Sequence, residues 1–264
     1  MTLRLLVADT AAEKAAARDV EGRVFLDAFG NTSDVITREY GPYDHRSRFL
    51  AVVDDRSGRA LGAVRLIAPD PAGELKSLTD AAGAPWHLSV PDVVRAGGFT
   101  GQVVWDVATL AVDPDARAAA RTETTFALCH ALYRYTRRSG VDGLVTILDD
   151  KVLRVLRAIG LPFEVMAGAT SRSYLGSPAS TPCIAGVEDC ARSVRARRPD
   201  LAPRVVDGAF RSISVDPADL RPERGQPAPA LPREHPNAAP RTGWRPPAYR
   251  RDSRSGVVPA HPSG

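Results

Sequence analysis

Val103-Val104-Trp105-Asp106-Val107-Ala108-Thr109-Leu110-Ala111-Val112 is an apolar run rich in β-branched residues, and it stops at Asp113-Pro114-Asp115. Such a run reads as a strand buried inside a sheet. The Asp-Pro-Asp segment is a turn with a helix-start signal, so a helix is expected from about Arg117 to Arg138. Leu128, Leu132 and Tyr135 recur along it at helical spacing, as do Cys129 and Tyr133. A strand that runs straight into a helix leaves backbone N–H groups pointing outward at the join, where anions collect. Asp106 is the one acid inside the strand. A buried carboxylate is costly unless it is paired or used. Two readings of it therefore stand, a structural acid tied to an arginine or to backbone N–H groups, and a catalytic one.

Upstream, Leu3 to Ala8 reads as a short strand. Thr10-Ala11-Ala12-Glu13 is a capping box that starts a helix running to about Phe29. Val20, Val24 and Ala28 share one face, with Phe25 and Phe29 beside them, and Gly30 ends it. Asn31 to Arg48 is polar and is read as a loop; within it Glu39-Tyr40-Gly41-Pro42-Tyr43-Asp44 brings two acids and two tyrosines together. Two apolar runs, Ser47 to Val53 and Ala60 to Ile67, flank Asp54-Asp55-Arg56-Ser57-Gly58, a hairpin signal. Arg65 interrupts the second run, and Asp106, Asp44 and Glu39 are its possible partners across the sheet. Pro69 to Gly101 is a long insertion with short helices expected at Glu74 to Ala81 and Val90 to Arg95. Inserts of that length form lids or pocket walls when they are not packed decoration.

Downstream, Val141 to Leu148 is the next strand. Asp149 or Asp150 caps a helix that ends at Gly160. Phe163 to Met166, Ser171 to Leu175 and Pro182 to Val187 read as short strands, and Glu188 to Arg198 as a last helix. His130 falls among core positions of the long helix and is read as a core histidine. From about Asp216 proline and arginine dominate and no period survives. The expected division is a domain over 1–200 and a Pro/Arg-rich tail over 201–264 that is mostly disordered.

Composition bounds the rest. The formal charge of +4 is modest and much of the basic excess lies in the tail, which argues against a nucleic-acid partner. No apolar run reaches the length of a membrane-spanning helix. The first residues do not read as a secretory signal. The three cysteines form neither a disulfide framework nor a zinc-ligand spacing. A reducing cytoplasm is the expected compartment, and no metal is expected. Abundant Arg and Ala suggest a GC-rich, bacterial genome.

The order of strand, helix, loop, hairpin, central strand, long helix, strand and helix predicts a mixed α/β sheet with helices on its faces. It is the order of the GNAT acyltransferase fold. Four segments resemble one branch of it, the acyl-homoserine-lactone (autoinducer) synthases and the N-acyl amino acid synthases. Arg23-Val24-Phe25 resembles the family's R-x-F-like opening, and Glu39-Tyr40-Gly41-Pro42-Tyr43-Asp44 its E-x-D-x-x-D. Gly62-Ala63-Val64-Arg65-Leu66 resembles its G-x-x-R-L strand, and Trp105-Asp106-Val107-Ala108-Thr109-Leu110 its W-E-x-S-R-F strand. The chain departs from those patterns at Gly41, Asp106 and Thr109, where the family has Asp, Glu and Arg. The glycines of the wider fold's acetyl-CoA signature are also absent from Arg117-Ala118-Ala119-Ala120-Arg121-Thr122.

The resemblance implies direct acyl transfer from a thioester, acyl-CoA or an acyl-carrier protein, to the amine of a small amino-acid-like acceptor, with no permanently bound cofactor. On that reading Asp106, then Glu39 and Asp44, are the candidate catalytic carboxylates. Arg65 and Arg23 hold those acids, with Phe25 and Trp105 at the substrate. The backbone of Thr109, Leu110 and Ala111 meets the thioester, and Arg117, Arg121 and Thr122 meet the carrier's phosphate. Two alternatives remain open: an ordinary N-acetyltransferase, and a non-catalytic module that binds an acyl thioester or a protein partner.

Overall fold

Thr10 caps the first helix as the sequence dictates: its side chain accepts from the Glu13 amide while the Glu13 carboxylate accepts from the Thr10 amide. In the computed structural model, which describes residues 3–222 together with 230 and 231, the elements follow in order. They are β1 (Leu3–Val7), α1 (Ala11–Phe29), α2 (Ser33–Tyr40), a 3-10 turn (Gly41–Arg46), β2 (Ser47–Asp54), β3 (Ala60–Ile67), α3 (Lys76–Ala82) and α4 (Val90–Ala96). After these come β4 (Val104–Val112), α5 (Ala118–Arg138), β5 (Gly143–Asp149), α6 (Asp150–Ile159), β6 (Glu164–Val165), β7 (Arg172–Tyr174) and β8 (Ser177–Gly186). The last elements are α7 (Val187–Arg197), α8 (Ala202–Val205) and β9 (Ile213–Val215). The strands form one mixed sheet in the order β6-β8-β5-β4-β3-β2-β1-β9, with β7 paired to β8.

Helices cover both faces. Ala17 and Val20 of α1 pack on Phe49, Ala51 and Ala63, while Ile36 and Tyr40 of α2 pack on Ile67. Leu78 of α3 and Val93 of α4 close over Val104 and Val145. The opposite face carries the larger core, built from α5 to α8 on Leu50, Val64, Leu66, Val107 and Leu144.

Two expectations are corrected. Within 31–48, residues 33–46 are helical rather than a loop and 47–48 begin β2: Ile36 and Tyr40, one turn apart, are the two buried apolar anchors of the helical stretch, too few for a periodic signal. The folded unit also runs past residue 200. Ile213–Val215 pairs in parallel with β1, and Leu220 is buried. The expected disorder of the tail otherwise falls on residues outside the described ones.

Candidate active site

β4 carries two local devices that decide the site. Its pairing with β3 shifts register between Arg65↔Thr109 and Leu66↔Val107, which leaves Ala108 as an extra residue in a β-bulge. The alternation therefore changes parity: Trp105 and Val107 face α5, and beyond the bulge so do Leu110 and Val112. Its other neighbour, β5, pairs with it only over Val104, Trp105 and Asp106. Beyond that point β4 and β5 diverge, with the Thr146 hydroxyl donating to the Val107 carbonyl at 2.7 Å where the pairing ends.

The divergence opens a cleft of about 160 Å³. Val107, Ala108, Thr109 and Leu110 form one wall, and Thr146, Ile147, Leu148 and Asp149 the other. Phe25 and Phe29 of α1 lie over it edge to face, 5.5 Å apart. Tyr40, Lys76, Ser77 and Tyr174 give it a polar end. The insertion between β3 and β4 thus supplies part of this wall through α3.

Three buried polar groups lie around that cleft. Asp106 is fully buried; its Oδ1 accepts from the Ser77 amide at 2.9 Å and its Oδ2 has no partner. Burial pushes this carboxyl up to about 6, against the lowering effect of the Ser77 bonds and the Lys76 charge. Glu21 and Arg65 form a bidentate pair, Nε to Oε1 at 3.0 Å and Nη2 to Oε2 at 2.6 Å. The Thr109 hydroxyl also donates to Glu21, at 2.5 Å. Arg65 donates its remaining edge to Asp44 and stacks between Phe49 and Tyr40, 4.6 and 4.9 Å from their ring centres. Burial alone lowers the Arg65 guanidinium, but the bonds and charges of Glu21 and then Asp44 hold it above its ordinary value.

The third group is Lys76, 4% exposed. It donates to Glu39, Asp80 and the Tyr174 hydroxyl, and the Tyr174 hydroxyl donates to Asp80 at 2.6 Å. Burial opposes its charge, yet Tyr174, Asp80, Tyr40 and Glu39 together keep the ammonium well above its ordinary value. Trp86 packs on Tyr174 and donates to the Thr170 carbonyl, pinning the insertion to the β7 region.

Of the residues singled out in the sequence, Phe25, Thr109 and Leu110 line the cleft, and Glu39 reaches it through Lys76. Asp44 is half exposed and is held by Arg65 and by Arg18 at 3.5 Å. Arg23 does not meet Asp106, Glu39 or Asp44: it bridges Asp19 and Asp113 at 3.0 and 3.1 Å, and Asp113 also takes Arg59. Trp105 points away from the cleft and packs edge to face on Tyr135 of α5. Ala111 is buried, while Arg117, Arg121 and Thr122 are exposed at the start of α5; Arg121 donates to the Pro114 carbonyl and Thr122 to the Ala118 carbonyl. Glu21 and Lys76 escape sequence reasoning. The signal for Glu21 was Arg65 itself, a cation in a wholly buried strand that requires an acid opposite.

No protein-family model and no curated protein matches the chain. Among solved structures, FeeM, an N-acyl amino acid synthase from uncultured soil microbes, superposes with a TM-score of 0.53 at 12% identity, over 72% of this chain and 94% of FeeM. TofI, solved with an inhibitor and MTA, gives 0.47 at 16% identity over 75% of this chain and 99% of its own. BjaI, a CoA-dependent acyl-homoserine lactone synthase solved with SAM and isopentyl-CoA, gives 0.45 at 15% identity over 81% and 93%. With its split central strands, its bulge and its likeness to FeeM, the chain has the GNAT fold.

Proposed function

We propose that the protein is an N-acyltransferase that moves an acyl group from a thioester to the amine of a small amino-acid-like acceptor. The observation that carries this reading is the cleft where β4 and β5 part. It is an apolar slot beside an unpaired strand edge, closed at one end by buried charged groups. A thioester lying along β4 has its alkyl chain among Phe25, Phe29 and Leu148 and its carbonyl oxygen against a backbone N–H near Thr109 to Ala111, which stabilises the developing oxyanion.

The acceptor amine attacks the thioester carbonyl, the C–N bond forms, the C–S bond breaks and the thiol leaves. Asp106 takes the amine proton, through a water at the Ser77 edge of the cleft. Its unpartnered Oδ2 supports this role. Glu39 and Lys76, with Tyr174, receive the polar part of the acceptor. Asp44 positions Arg65, and through it Glu21 and Thr109 on the bulged strand. Acyl-CoA or an acyl-carrier protein serves as donor, with Arg117 and Arg121 at its phosphate.

The test is thiol release by the purified chain from acyl-CoA and acyl-carrier-protein thioesters of graded length, with and without a mixture of amino acids. Amine-dependent release that Asp106→Asn reduces at least a hundredfold is expected. Tight thioester binding with no release supports the non-catalytic module instead.

A further inference from the structure

A second cavity, of about 340 Å³, lies between α5, α7 and the segment that follows α8, and it shares no lining residue with the cleft. One face of α5 supplies His130, Arg134, Arg137 and Arg138, spaced so that all point to the same side. Arg195 of α7 and Asp207 close the opposite wall. Four arginines thus meet a single lining carboxylate, and that carboxylate is engaged by Arg195 at 2.9 Å. Arg137 is answered by Glu188 from outside the lining, at 2.7 Å. Arg134 has no carboxylate partner among the described residues, and Arg138 donates only to the carbonyls of Pro217 and Leu220. Burial, then the charges of Arg134 and Arg221, hold the Arg138 guanidinium below its ordinary value, the mark of clustered cations without a counter-charge.

His130 adds an independent observation. It is 4% exposed and lines the cavity, and its Nδ1 is buried without a hydrogen-bond partner. Gly208 permits this arrangement, since a Cβ there would stand 2.7 Å from Nε2 of His130. The volume falls at the small end of ligand pockets. Guanidinium forks suit phosphate oxygens, and two unanswered guanidiniums match a dianion better than a single carboxylate.

We propose that this cavity is a binding site for a small phosphate-bearing anion, held by Arg134 and Arg138, with the His130 ring in the wall beside them. It is separate from the acyl cleft and rests on no assumption about acyl transfer, so it stands or falls independently of that reading.

Calorimetric titration of the full-length chain with inorganic phosphate and with glycerol 3-phosphate, at ionic strength held constant with chloride, tests it. One saturable site with a dissociation constant of about 1 mM or tighter is expected, the level that a few charge-assisted bonds supply. Arg134→Gln weakens it at least tenfold and Arg154→Gln, exposed on α6, leaves it unchanged. Absence of saturable binding, or equal affinity in Arg134→Gln, overturns the site. Binding to phosphatidic-acid vesicles without binding of either soluble probe also overturns it, and assigns these arginines to a membrane surface. Independently of any variant, the His130 ring resonances of ¹⁵N-histidine-labelled protein shift on saturation with phosphate, because the ring lines the cavity. A resonance that stays in place while phosphate binds contradicts the assignment.

Discussion

Asp106 and Glu21 are both buried carboxylates, yet they differ in what answers them. Glu21 has a full complement of donors in Arg65 and Thr109, whereas Asp106 has one amide and an idle oxygen. Raising a carboxyl from 3.8 to about 6 costs its ionised form about 3 kcal/mol. The folded chain then binds this proton more readily than the unfolded one. The contribution of Asp106 to stability is thus fully present below about 3.8 and is lost as pH rises through about 6. On the proposed function two outcomes are expected: acyl transfer increases with pH through about 6 as Asp106 ionises, and Asp106→Asn loses activity yet melts no lower than the native chain at pH 8. A pH–rate profile and thermal melts check both. Glu21→Gln has the opposite effect on stability, since it leaves the buried Arg65 guanidinium only the half-exposed Asp44 as a counter-charge. It lowers unfolding free energy by about 3–5 kcal/mol in a denaturant titration. Asp106 was legible in the sequence as a lone acid in an apolar strand. Glu21 was not, because its helix places it beside Val20 and Val24 with nothing local to mark it as buried.

The elements around β4 were legible because each has a local cause: a β-branched run, a capping box, a hairpin turn, a periodic helix. The bulge at Ala108 and the parting from β5 were not, because both are relations between strands and arise from register. The same limit hid α2, whose stability comes from packing Ile36 and Tyr40 on Ile67 rather than from its own sequence. At this scale the cleft predicts that Phe25→Ala lowers kcat/KM for a long-chain thioester by about ten- to a hundredfold. That is the loss expected for an apolar contact of about 1.5–3 kcal/mol, and short-chain donors are affected less. Steady-state kinetics over a chain-length series shows it. Gly62 marks where β3 meets α5: a Cβ there would lie 2.8 Å from Thr124 Cγ2 and 2.9 Å from the Ala111 carbonyl. Gly62→Val destabilises by about 1–3 kcal/mol in denaturant unfolding.

For the whole molecule, sequence order foretold the mixed sheet with helices on its faces, while the end of the folded unit was misplaced. Composition changes near Asp216, but β9 pairs with β1 through backbone bonds that need no apolar period, and Leu220 anchors it. Leu231 is likewise 5% exposed against Leu75, Leu78 and Val93, and its amide donates to the Gln102 carbonyl. Leu231→Ala therefore costs about 2 kcal/mol or more, read as a lower midpoint of chemical unfolding, although the residue lies within the stretch that composition assigns to a tail. Among the described residues no helix is long and apolar enough to cross a membrane. The proposal that the parting of β4 and β5 houses N-acyl transfer driven by Asp106 is checked by mass spectrometry of small molecules from cells making the native chain, beside cells making Asp106→Asn at equal level. An N-acylated amine is expected with the native chain and none with the variant. The same product from both, or from neither while the native chain binds acyl-CoA tightly, contradicts it.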